Sequence, residues 1–419
     1  MGSLPEPLVE NTRMKLILRA ALVAVTLTLS AVGSMAQDKG VLALVGGSVY
    51  RDPTSPPLAD AVVLVSGGTI TAVGPRSAVP IPPDARVIDC TGKSLTAGFW
   101  NAHVHFTESV WRDAARAPAA PLTQHMQAML TRWGFTTVWD LGSDPRDTLA
   151  LRRRVEAGEI LGPKIFTTGS IFPKGGHPVY LPPELNLPQA ASAEEAAGMA
   201  RGMLSLGLDG IKLFTGSFMG AAPVVNMEAG VAKAAVDVAH AQGKPVFAHP
   251  QNKTGADAVG TAGADVMAHT VPGERGFTPE QLARFKTNGT ALVPTLTLWT
   301  TVVSDKSVVD RLVESGVEQL RAFAGNGGTV LFGTDVGFIK IYDTGLELEF
   351  MGRALPAADV LASLTTNPAS YFKAATKGRL EAGYDADIVV LEGDPLADVR
   401  NLAKVATTIR AGSVIFPGP

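Results

Sequence analysis

Ala97-Gly98-Phe99-Trp100-Asn101-Ala102-His103-Val104-His105-Phe106 is an apolar run interrupted by two histidines one residue apart. In an extended strand, side chains alternate between faces, so both imidazoles must point to the same side. Two neutral imidazoles converging on one spot begin a transition-metal site. From this run outward the chain repeats one unit, a short apolar strand followed by a longer helical stretch. Eight strands are expected: Phe99–Phe106, Thr136–Leu141, Lys164–Thr168, Gly210–Phe214, Pro245–His249, Asp265–His269, Ala291–Leu296 and Val330–Thr334. Helical patterns such as Ala193–Leu206, Met227–Ala241, Pro279–Asn288 and Ser307–Ala324 lie between them. Such alternation calls for parallel strands joined by right-handed crossovers. Eight units are what a closed (β/α)8 barrel needs, and such a barrel carries its chemistry at the strands' C-terminal ends. An open doubly wound sheet is the alternative.

The flanks are patterned differently. Ala61–Val65 and Thr69–Val73, separated by Ser66-Gly67-Gly68, form a hairpin pattern. Ala386–Leu391 and Val405–Ile415 are further strand-like runs near the other end. The fold class expected is therefore α/β: a TIM-like barrel over 97–371, with a small β-sandwich built from 37–96 and 372–419.

Composition agrees with a large folded core. The 419 residues are 46% hydrophobic and 18% charged, with a net charge of −3. Near-neutral charge without a basic cluster gives no reason to expect a nucleic-acid partner. Cys90 is the only cysteine, so no intrachain disulfide can form, and its strand-like setting suits a buried small hydrophobe. Met14–Ala36, within the 1–36 extension, has the form of an export signal. Lys15 and Arg19 precede the uncharged run Ala20–Val32, and Ser34-Met35-Ala36 offers small residues for cleavage. The run is short for a membrane span, so an exported protein, periplasmic or secreted, is expected, with no stable span after cleavage.

The histidines are not scattered. Of seven, His103, His105, His249 and His269 stand at the ends of the first, fifth and sixth strands. The eighth strand runs into Gly333-Thr334-Asp335, and the fourth, Asp209–Phe214, places Lys212 inside an apolar run. A charged ammonium in a barrel interior is costly when unpaired and repels a cation. Deprotonated by burial, its amine can take up carbon dioxide and become an anionic carbamate that bridges two metals. Otherwise Lys212 snorkels to the rim or pairs with a carboxylate. His125 and His240 fall on helical stretches and suit surface or packing positions.

These segments, with Thr366-Asn367-Pro368-Ala369 and the tail Gly378–Val389, resemble the amidohydrolase superfamily. The similarity is greatest to its imidazolonepropionase-like and Xaa-Pro dipeptidase-like branch. The resemblance implies two divalent cations, with zinc first and manganese, cobalt or iron also suited to such ligands. It implies His103 and His105 on a buried metal, His249 and His269 on a more exposed one, and N6-carboxylated Lys212 between them. Asp335 would bind the buried metal and move the proton of a bridging hydroxide to the leaving amine, since two cations bring a water's pKa from about 15.7 towards 7. His177, after Lys174-Gly175-Gly176, would contact the substrate carbonyl. The substrate implied is a small-molecule amide such as a dipeptide or N-acyl amino acid.

A cyclic amidase or lactonase on the same metals, and a catalytically silent periplasmic binding protein, are the alternatives, and a homo-oligomer stays open. Three departures bear on substrate class. Asn101 stands where many relatives have aspartate, Ala97 where they often have proline, and Pro250-Gln251 follow His249 where His-Ala/Gly is common. Tyr180, Phe218, Met219, Leu298, Trp299, Phe338 and Tyr342 in the loops would suit an apolar or aromatic substrate group, and Lys174 or Arg275 a substrate carboxylate.

Overall fold

In the computed structural model, which describes residues 40–417, parallel strands pair in sequence order around a barrel. They are Phe99–Val104, Phe135–Asp140, Lys164–Pro173, Gly210–Phe214, Val246–His249, Val266–Ala268 and Ala291–Val293. The export-signal segment lies outside the described residues. Among those described, no helix is long and apolar enough to cross a membrane.

The eighth strand closes the ring without a continuous ladder of its own. Leu331 N–H donates to Leu292 O at 2.9 Å on one side, and Ala102 N–H to Phe332 O at 2.8 Å on the other. Isolated bridges Leu292–Val330 and Val104–Val336 complete the contact. Several strand limits differ from expectation, those of the first and seventh strands among them. The first strand ends at Val104, leaving His105 just beyond it, and the seventh stops at Val293 instead of Leu296. Pro294 lacks the amide hydrogen that a ladder needs, and Leu296–Thr300 winds into a 3₁₀ turn.

Several helices begin where a side chain satisfies their open amides. At Pro279–Asn288, Thr278 and Gln281 form a reciprocal capping box, proline occupies the first turn, and Gly289 (φ 69°) ends the helix. Two apolar layers follow from strand alternation. Trp100, Trp139, Phe247, Ala268 and Val293 fill the barrel interior, while Val138, Ile211, Leu213 and Met267 pack outward beneath the helices.

Both flanks of the chain join one eight-stranded sheet. The expected hairpin is present as Leu58–Ser66 with Thr69–Pro75, and Val405–Ile415 resolves into Val405–Arg410 and Ser413–Phe416. The seam between the two flanks is the antiparallel pair Ser94–Ala97 and Ile388–Leu391. Leu44, Val63, Leu95, Ile388 and Ile409 share its core. Cys90 is fully buried beside them, and burial pushes its thiol up to about 11.

Candidate metal centre

Alternation alone brings some of the six side chains inward. Lys212 and His249 share the parity of interior residues, Lys212 pairing in register with Phe247 and Phe214 with His249. His103 and His269 do not, because Ala102 and Ala268 already face the interior. At His103 the pairing with the second strand slips between Asn101 and Val104, which resets the alternation. The Asn101 side-chain oxygen Oδ1 accepts the His103 N–H at 3.1 Å, and its Nδ2 donates to Thr334 Oγ1 at 2.8 Å. An aspartate could reproduce the pair only if the Thr334 hydroxyl turned round to donate. His269 is swung inward by its φ of 115°, and Asp335 sits at φ 59°. Such conformations are costly for residues other than glycine and gather at functional sites.

The result is a close-set group. His105 Nε2 lies 3.3 Å from His103 Nε2 and 2.9 Å from Asp335 Oδ1. His103 Nε2 is 3.2 Å from the same oxygen, and ligand atoms of all three lie within 4.8 Å of one another. Asp335 Oδ1 has no hydrogen bond of good geometry despite its burial. Buried polar atoms are rarely left so, and lone pairs aimed at one point are what a cation satisfies. The donor set, two imidazoles and a carboxylate, fits a divalent transition metal.

A second group adjoins it. His269 Nε2 is 4.0 Å from Asp335 Oδ2, and its ring centroid is 4.6 Å from that of His103 and 4.8 Å from that of His249. The outer nitrogens of this pair are held. Gln251 Oε1 lies 3.1 Å from His249 Nε2, and Thr295 Oγ1 lies 2.5 Å from His269 Nδ1. Each bond leaves the other ring nitrogen available to a cation, as partners beyond the ligands commonly do.

Lys212 is 1% exposed and, among the described residues, has no carboxylate at salt-bridge distance, so it neither snorkels nor pairs there. Burial lowers its ammonium to about 7, with Asp335 opposing only in part. The imidazoles are likewise kept neutral. Burial, then the Lys212 charge, brings His103 to about 3 and His249 to about 4, and burial with the other imidazoles takes His269 well below its usual value. Burial alone would raise the Asp335 carboxyl; the flanking His103 and His105 hold it well below the carboxylate range.

The remaining candidates separate. His177 finds its polar partners within its own loop, Pro178 O at 3.2 Å and Leu185 O at 3.1 Å. Three residues on, Tyr180 packs at 5.2 Å against Phe338, which lies 6.5 Å from His105. These two half-exposed rings form an aromatic edge beside the histidines. Trp299 is buried and donates to Thr270, so it belongs to the packing. His240 pairs with Asp265, and His125 meets Tyr342 and Glu108 between two loops. Thr295 was not apparent in the sequence: nothing in Pro294-Thr295 announces a left-handed threonine.

The amidohydrolase family pattern matches residues 94–415. The chain belongs to the amidohydrolase family and is a hydrolase of carbon–nitrogen bonds. Ochratoxinase from Aspergillus niger is 24% identical over 87% of this chain and 84% of its own. Among solved structures, a Bifidobacterium longum protein assigned as a prolidase superposes with a TM-score of 0.77 at 28% identity, covering 91% of this chain and 96% of its own. A Xaa-Pro dipeptidase with bound methionine in the active site gives 0.76 at 23% identity, over 90% and 99%.

Proposed function

We propose that this protein hydrolyses an amide bond in a small molecule of the dipeptide or N-acyl amino acid type, using two divalent cations. His103, His105 and Asp335 would hold one; His249 and His269 would hold the other, with N6-carboxylated Lys212 shared between them. The observation that carries the reading is the His103–His105–Asp335 group, with His103 and Asp335 buried, beside a fully buried lysine that has no ion pair among the described residues. That relatives include a prolidase-like protein, a Xaa-Pro dipeptidase and ochratoxinase supports an amide as the bond cut.

Cations bound there supply Lewis-acid polarisation of a carbonyl and lower the pKa of an attacking water. The chain's own residues do the rest. Lys212, half neutral near pH 7, has the lone pair that attacks carbon dioxide, releasing one proton and forming a carbamate. Asp335 is ionised at neutral pH, accepts the proton of the attacking water and returns it to the departing nitrogen. So acidic a carboxyl takes that proton only from a donor made strongly acidic during attack. Tyr180 and Phe338 face the apolar part of the substrate, and the loop carrying His177 borders it.

The test is metal-reconstituted protein assayed on dipeptides, N-acyl amino acids, hydantoins and lactones, with bound metal counted. Turnover of the linear amides with two ions per chain is expected. Turnover confined to rings would replace the substrate class, and fewer than one ion with no turnover would favour a silent binding protein. We also read Met14–Ala36 as an export signal; a mature N terminus at Gln37 in the periplasmic fraction checks it.

A further inference from the structure

Glu347, in the helix Gly345–Gly352, is a buried carboxylate that the proposed chemistry does not use. It is 1% exposed and has no ion pair among the described residues. Its two oxygens accept backbone N–H groups, Leu296 to Oε1 at 2.8 Å and Thr297 to Oε2 at 2.7 Å. Burial raises its carboxyl to about 7 against the pull of those amides.

The two amides follow Thr295 directly, and Thr295 sits at φ 44°, ψ 52°. A β-branched residue is disfavoured in that left-handed region and stays there only when its surroundings hold it. What holds it is visible. In this turn Glu347 satisfies both following amides, and buried amides are costly to orphan. The turn in turn sets the Thr295 hydroxyl against His269, itself at φ 115°.

We propose that Glu347 is a positioning residue: through the Leu296 and Thr297 amides it locks Thr295 in its left-handed turn, so that Thr295 Oγ1 accepts the Nδ1–H of His269 and leaves Nε2 as the ligating nitrogen. The inference deepens the reading of His269 as a metal ligand and rests on it for its consequence, but not for its geometry. Glu347→Gln offers one acceptor oxygen in place of two, Thr295→Val removes the hydroxyl while keeping shape, and Thr295→Ser keeps the hydroxyl.

Chelator competition with zinc should show Glu347→Gln and Thr295→Val each weakening one of the two ions about 10- to 100-fold while the other is unchanged. The double variant should be no worse than Thr295→Val alone, because both act through one contact. Thr295→Ser should bind as the parent does. In metal-free protein, nitrogen NMR should find His269 protonated on Nδ1 in the parent and in Thr295→Ser, and as a tautomer mixture in the other two.

A folded Glu347→Gln with both affinities and the Nδ1–H signal unaltered would overturn the proposal, as would losses that multiply in the double variant. If Glu347→Gln does not fold, the Thr295→Val and Thr295→Ser pair decides: identical tautomers in both overturn it. A parent that binds no zinc, yet loses the Nδ1–H signal in the variants, sinks the metal reading and leaves the relay standing.

Discussion

The two halves of the centre solve one problem by different means. His103, His105 and Asp335 include a carboxylate and lie within 4.8 Å of one another, positioned by a strand slip and a left-handed aspartate. Lys212, His249 and His269 include no anion at all, and loop residues Gln251 and Thr295 orient the imidazoles. A divalent cation among two neutral imidazoles and an amine lacks charge compensation. The first half carries its anion as folded; the second would gain a negative ligand only if Lys212 were carboxylated.

That contrast can be broken at several points. Asp335 is the one anion of the first half and the proposed proton carrier, so Asp335→Asn should lower kcat by about 10³-fold with the thermal midpoint nearly unchanged; near-parental turnover would remove its proton-transfer role. Lys212→Ala should lose one ion and about 100-fold in activity, partly restored by formate or acetate. Metal content equal to the parent's would end the bridging role. Because the amine is mostly neutral above its value of about 7, metal-stripped protein should recover in zinc and bicarbonate faster at pH 8 than at pH 6.

Gln251→Leu frees the outer nitrogen of His249 and should weaken only the second ion, by about 10-fold; loss of both ions would show that the halves are not separable. A last effect concerns stability. Glu347 has a folded value near 7 against an ordinary 4.5, so the native state binds its proton more tightly than the unfolded chain. Its contribution is full below pH 4.5 and falls away as pH rises through 7, by about 3 kcal/mol in all. Glu347→Gln should flatten that part of the denaturation profile, and an unchanged slope would place the titration elsewhere.

How far residues alone revealed this depended on the backbone. Strand alternation suffices for Lys212 and His249, whose parity is regular. It gave His103 and His105 a common side, but their direction depends on a ladder slip that Asn101 accommodates by a local hydrogen bond. His269 looked like a plain strand end, and only its φ of 115° carries it inward. The eighth strand was apparent as Val330–Thr334 although it pairs mainly through single bridges. Thr295 and Glu347 were invisible because their roles come from a contact between a 3₁₀ turn and a helix about fifty residues apart in sequence, where periodicity has no reach.

The seam joining Ala97 to Ile388 has a consequence for biosynthesis. Strand Ser94–Ala97 waits for a partner that the ribosome makes only near the end of translation, so an apolar edge stays open while the whole barrel is being produced. Truncation before Leu391 would therefore unmake the beginning of the protein as surely as its end.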